Sequence, residues 1–162
     1  MYGLTPIGTI HTAISLVAVA AGIVGLVRDK RIVLESTAGK VYLGATVLTC
    51  LTGFGIFAHG GFGKPHALGV LTLIVLALAW FARSRLALQA VLLSTTFFFH
   101  FIPAATETLT RLPLGAPLLA DAEAPELKII TGVMFVLLVI GATLQVRRFR
   151  QGKLAIVRPA AV

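Results

Sequence analysis

Residues 66–102 read HALGVLTLIVLALAWFARSRLALQAVLLSTTFFFHFI, two apolar runs separated only by Arg83-Ser84-Arg85. A bilayer's hydrocarbon core takes about 20 residues of helix, with a range of about 17–25, and each run meets that length. Neither run alternates polar and apolar residues as a barrel strand does, and an unpaired backbone amide in lipid is costly, so both read as helices. A three-residue link folds the second helix back against the first. The stretch is therefore a membrane hairpin.

Three further runs of the same kind flank it, at about 7–27, 41–59 and 127–146, and with 66–82 and 86–105 they make five. The chain has 162 residues, of which 57% are hydrophobic and 12% charged, with a mean hydropathy of +0.97. A soluble domain carries about 25% charge, so residues 1–162 read as a single integral membrane domain. The connection at about 106–126 holds Pro113, Pro117 and Pro125 and most of the acids, so it reads as an outer loop, with room for a short interfacial helix from Thr106 to Leu112. No internal repeat or low-complexity tract interrupts the pattern. The expected fold is all-α, a five-transmembrane-helix bundle.

The basic residues orient it. Arg28, Lys30, Arg31, Lys40, Arg83, Arg85, Arg147, Arg148, Arg150, Lys153 and Arg158 fall on one side, and only Lys64, Arg111 and Lys128 on the other. By the positive-inside rule the first side is cytoplasmic, which puts the N-terminus outside and the C-terminus in the cytoplasm. The net charge of +8 is thus a topology signal and an attraction to anionic headgroups, and no nucleic-acid partner is expected. Arg28, Lys30 and Arg31 directly follow the first run, the layout of an uncleaved anchor rather than a signal peptide. Cys50, the single cysteine, lies in an apolar run and reads as packing.

This topology gathers all four histidines toward the outer face. His11 and His100 come about one helical turn inside the hydrocarbon boundary, while His59 and His66 flank the turn from Gly60 to Pro65. Polar side chains at membrane depth usually face the bundle interior, which favours the deeper pair. At 100° per residue, Gln89, Thr96, His100 and Glu107 form one stripe within about 40°, provided the helix continues past Pro103. His11, Ser15, Ala18, Gly22 and Gly25 align on the first helix, and Thr52, Gly55 and His59 on the second.

Two imidazoles from different helices can supply both axial ligands of a haem b, so electron transfer is one expectation, with His11 and His100 as the pair and His59 and His66 as a second pair or as propionate contacts. Phe97, Phe98, Phe99 and Phe101 would wall such a site. A second reading gathers His11, His59, His66, His100 and Glu107 into a metal or proton-handling site. A third is a cofactor-free accessory or assembly protein with membrane partners. No nucleotide loop, nucleophile elbow, HExxH, CxxC or CxxCH is present, so no enzyme class is indicated.

The stretch from Ser36 to Gly44 (STAGKVYLG), with Leu51 to Phe57 (LTGFGIF) and Gly63 to Gly69 (GKPHALG), resembles a bacterial family of small multi-span proteins, domain of unknown function 2306. The likeness covers about residues 36–105 and implies a multi-pass protein of the bacterial cytoplasmic (inner) membrane, with no activity attached. Thr37 and Ala38 stand where that family carries a His-Arg pair. A looser likeness to b-type membrane cytochromes rests on histidines near helix ends.

Overall fold

The computed structural model describes residues 5–57 and 61–152. The chain forms α1 (Pro6–Asp29), α2 (Thr37–Gly53), α3 (Lys64–Phe81), α4 (Leu86–Arg111) and α5 (Pro125–Arg150), with one 3-10 turn, Ala82–Ser84, between α3 and α4. Four of these helices are long and apolar enough to cross a membrane: α1, α3 with its 3-10 extension, α4 and α5. The remaining helix, α2, has 17 residues and sits inside the bundle, burying Tyr42, Ala45, Thr46, Thr49 and Cys50.

Local chemistry explains where the helices begin and end. Thr5 caps α1 by accepting from the Gly8 N–H at 3.2 Å, with Pro6 at the first helical position. Ser36 caps α2 in the same way through the Gly39 N–H at 3.0 Å, so the helix starts at Thr37, before the expected position near 41. It also stops at Gly53, short of the expected 59, where Phe54 and Gly55 turn back onto the Cys50 and Thr52 carbonyls. The helix α4 runs through Pro103 to Arg111, past the expected 105. Proline removes the backbone donor that would meet the Phe99 carbonyl, and beyond it the threonine hydroxyls fold back on the helix: Thr106 donates to the Ile102 carbonyl at 3.0 Å and Thr110 to that of Thr106 at 2.7 Å. The loop between α4 and α5, expected at about 106–126, is correspondingly shorter, 112–124, and the residues expected as a separate interfacial helix are the end of α4.

Consecutive helices are neighbours, and α1 also touches α4, so α1 to α4 close into a ring, while α5 packs along α4 and reaches the end of α1 through the side chains of Gln145 and Phe149. The connection between α1 and α2 is not the polar link its charges suggest. Lys30 adopts a left-handed conformation (φ 57°) that ends α1, after which Ile32, Val33 and Leu34 turn inward and are buried. Ile32 and Leu34 join Ala21, Tyr42, Leu76, Ala79 and Leu93 in the core. The approach is close enough that a Cβ at Gly39 would collide with the Val33 carbonyl oxygen, and one at Gly22 with the Phe97 ring. Arg31 is drawn in as well, its guanidinium 5.5 Å from the centre of the Phe149 ring. Burial lowers its pKa from the ordinary value, opposed by Glu35 and Asp29.

Candidate functional site

The ring of four helices encloses a seam of histidine and hydroxyl side chains, built by residues one or two turns apart on three helices. On α4 three of the four residues of the stripe face inward, with Gln89 and Thr96 fully buried and His100 only 6% exposed, whereas Glu107 is exposed. The helix α2 contributes Tyr42, Thr46 and Thr52, and α1 contributes His11 and Ser15.

Three rungs follow one another inward. At the first, His11 Nδ1 lies 3.1 Å from Thr52 Oγ1. Thr52 Oγ1 also lies 2.8 Å from the Leu48 carbonyl and 3.1 Å from that of Thr49, so the hydroxyl beside the imidazole is itself anchored on the α2 backbone. A Cβ at Gly53 would sit 3.1 Å from His11 Cε1, so this glycine gives the ring its place. At the second rung His100 bridges two helices: Nδ1 is 3.3 Å from Ser15 Oγ and Nε2 is 3.1 Å from Thr46 Oγ1. At the third, the Thr96 hydroxyl donates to the Leu93 carbonyl at 2.9 Å, and Tyr42 donates to Thr96 Oγ1 at 2.7 Å. The Tyr42 ring meets His100 edge-on at 6.2 Å.

The two ends of the seam differ. Glu107, ion-paired with Arg111 one turn along α4, stands at the end of the seam nearer His11. At the other end fully buried Leu93 and its core neighbours Leu76, Ile32 and Leu34 close it. Gln89 lies beyond that closure, donating to the Ala79 carbonyl at 3.3 Å.

Compared with protein-family models, curated proteins and solved structures, the chain matches none. Any functional reading rests on the chemistry of the seam itself.

The structure divides the described histidines. His11 and His100 share the seam, whereas His66 stands apart at the start of α3, between Phe57 at 5.1 Å and Phe62 at 5.2 Å. There its Nδ1 accepts from the Gly63 N–H at 3.2 Å and completes the cap of α3. His59 lies outside the described residues. Among the described residues no three His, Cys, Asp or Glu side chains come together as a metal site, so the set of His11, His66, His100 and Glu107 is not assembled around one ion.

The pairing expected for haem finds no support in this geometry either. Both nitrogens of His100 are engaged by hydroxyls, and two cavities lined by Leu26, Gly141 and Gln145 lie away from the histidines. Phe97, Phe98 and Phe101 line the larger of these cavities instead of a wall beside His11.

Spacing alone pointed to His11, Ser15, Thr52 and the α4 stripe. It passed over Tyr42 and Thr46, although Tyr42, Thr46 and Thr49 repeat at helical spacing on α2 and mark its polar inner face.

Proposed function

We propose that the chain is a five-span protein of the bacterial cytoplasmic membrane, amino terminus outside, whose outer half handles protons. The asymmetry of Lys and Arg supports the orientation, and short links between long apolar helices support the span count, with α2 as a short span that buries its polar face and exposes Val41, Leu48 and Leu51. The resemblance to domain of unknown function 2306 implies a multi-pass protein of the same membrane.

The observation that carries the proton reading is His100 held between two hydroxyls. A neutral imidazole has one donor and one acceptor nitrogen, whereas the cation has two donors. Ser15 and Thr46 can satisfy either form by rotating about their C–O bonds, because a hydroxyl both donates and accepts. The site therefore takes up or releases a proton without moving a helix. The His11 imidazole offers a second titratable ring, and Glu107 at the outer end supplies a carboxylate through which protons exchange with the outer aqueous phase. The other titratable and charged groups facing this pair are Tyr42 from α2 and Arg111 from α4.

The test is histidine-selective nitrogen NMR on protein in detergent or nanodiscs, titrated between about pH 8 and pH 4. Coupled titration of His11 and His100, displaced by Glu107→Gln and by Thr46→Val, is the expected result. Rings that each hold one protonation state throughout, in protein that stays folded, would overturn the reading. Topology is checked separately: Gly115→Cys should react with a membrane-impermeant maleimide on intact cells, and Gln151→Cys only after permeabilisation.

A further inference from the structure

The loose seat of α5 leaves a groove that the histidine seam does not use. Between α4 and α5 lies a cavity of about 320 Å³, bounded by Phe97, Phe98 and Phe101 on one side and by Met134, Leu138 and Gly141 on the other. Ligand sites run from about 300 to 1,000 Å³, so this is a small but sufficient space. Its lining is apolar except at one end, where Ser94 donates to Gln145 Oε1 at 3.0 Å. A second cavity of about 210 Å³ adjoins it, sharing Leu26, Gly141 and Gln145, and is edged by Lys30 and Arg148. Gln145 also donates to the Lys30 carbonyl at 3.2 Å, and it is the described side chain that hydrogen-bonds α5 to the end of α1 across the groove.

The arrangement is apolar within, polar at the neck and cationic at the mouth. Neither Lys30 nor Arg148 has a carboxylate partner among the described residues; the adjacent Asp29 is held by Arg28 at 2.8 Å. From Met134 to Arg148 along α5 is about 21 Å, more than one leaflet of a hydrocarbon core about 30 Å thick. We propose that this groove holds one anionic phospholipid, with an acyl chain between α4 and α5, its ester region at Ser94 and Gln145, and its phosphate between Lys30 and Arg148. The charge of the mouth selects an anionic head group, and the depth of the apolar part selects a lipid over a soluble phosphate. The inference rests on the membrane location proposed above and is independent of the histidine seam.

Native mass spectrometry of the delipidated protein, titrated with phosphatidylglycerol, phosphatidylcholine or glycerol phosphate, tests it. One phosphatidylglycerol should bind in preference to phosphatidylcholine, and glycerol phosphate should not compete. Lys30→Gln and Arg148→Gln should each lower that preference about fivefold, as expected for one cation near an anionic surface. Gly141→Phe should abolish lipid retention whatever the head group. Its Cβ meets nothing within 4 Å, so the fold tolerates the change, and the histidine titration should be unaltered. Equal binding of both lipids, retention by Gly141→Phe, or a dimer that persists after delipidation and covers this face would each overturn the proposal. Loss of histidine titration with lipid selectivity intact would overturn only the proton reading.

Discussion

The ring of α1 to α4 and the flank formed by α4 with α5 are built from similarly apolar helices, yet they are packed differently. Inside the ring, Tyr42, Thr46, Thr96, Gln89 and His100 are buried and the helices approach as closely as Gly22 and Gly39 allow. On the flank, the apolar window of α5 is only 6% buried, Gly132 and Gly141 face open space, and Leu137 and Ile140 stay exposed. In lipid there is no hydrophobic reward for bringing two apolar helices together, so close packing and interhelical hydrogen bonds decide which helices associate. The ring has both. The flank has Gln145, with Ser94 on one side and the Lys30 carbonyl on the other.

That contrast can be broken at single positions. The largest effect is expected at Gly39→Ala, whose Cβ would run into the Val33 carbonyl: a loss of about 3 kcal/mol, from the cost of overpacking. Gly132→Ala, in open space on α5, should be neutral or stabilising by about 0.5–1 kcal/mol. Thermal unfolding of the two variants in the same detergent compares them directly, and equal midpoints would refute the distinction.

Next comes His100→Leu, which leaves the Ser15 and Thr46 hydroxyls without their shared partner and should cost about 1–2 kcal/mol. Tyr42→Phe removes the single bond to Thr96 and should cost about 0.6 kcal/mol, the average for such bonds in a membrane protein. A Tyr42→Phe effect larger than that of His100→Leu would place the weight of the seam one rung deeper.

The smallest effect belongs to the outer loop, where Lys64 and Glu123 pair at 2.6 Å with side chains 84% and 67% exposed. The Lys64 hydrogen bond and charge hold the Glu123 carboxyl below its ordinary range. Whatever order the pair lends the loop is therefore present above the ordinary carboxylate pKa and is lost as pH falls through the lowered one. Salt should weaken it at every pH. Amide exchange across 112–124, followed against pH and salt and compared with Lys64→Ala, would detect it, and a salt-independent profile would count against the pair.

The apolar runs and their separators were legible in the sequence because the length needed in lipid and the need to bond every amide leave few alternatives. The α4 stripe was legible too, since Gln89, Thr96, His100 and Glu107 keep their phase through Pro103. Three features were not. The charges of Arg28, Lys30 and Arg31 concealed the apolar turn that follows, and burial of Ile32 to Leu34 depends on space beneath Tyr42 that only the folded bundle defines. His66 resembled the other outer histidines by position, but its ring is taken up by Phe57, Phe62 and the α3 cap. Gln145 carries no signal in the sequence, because its role depends on the distance between α1 and α5.

The apolar closure below Tyr42 has a bioenergetic consequence. Among the described residues, Leu93, Leu76, Ile32 and Leu34 separate the third rung from Gln89. On the proton reading proposed above, a seam stopped in this way would be a blind well, charged and discharged from one side, and Leu93→Ser would be expected to open it into a leak.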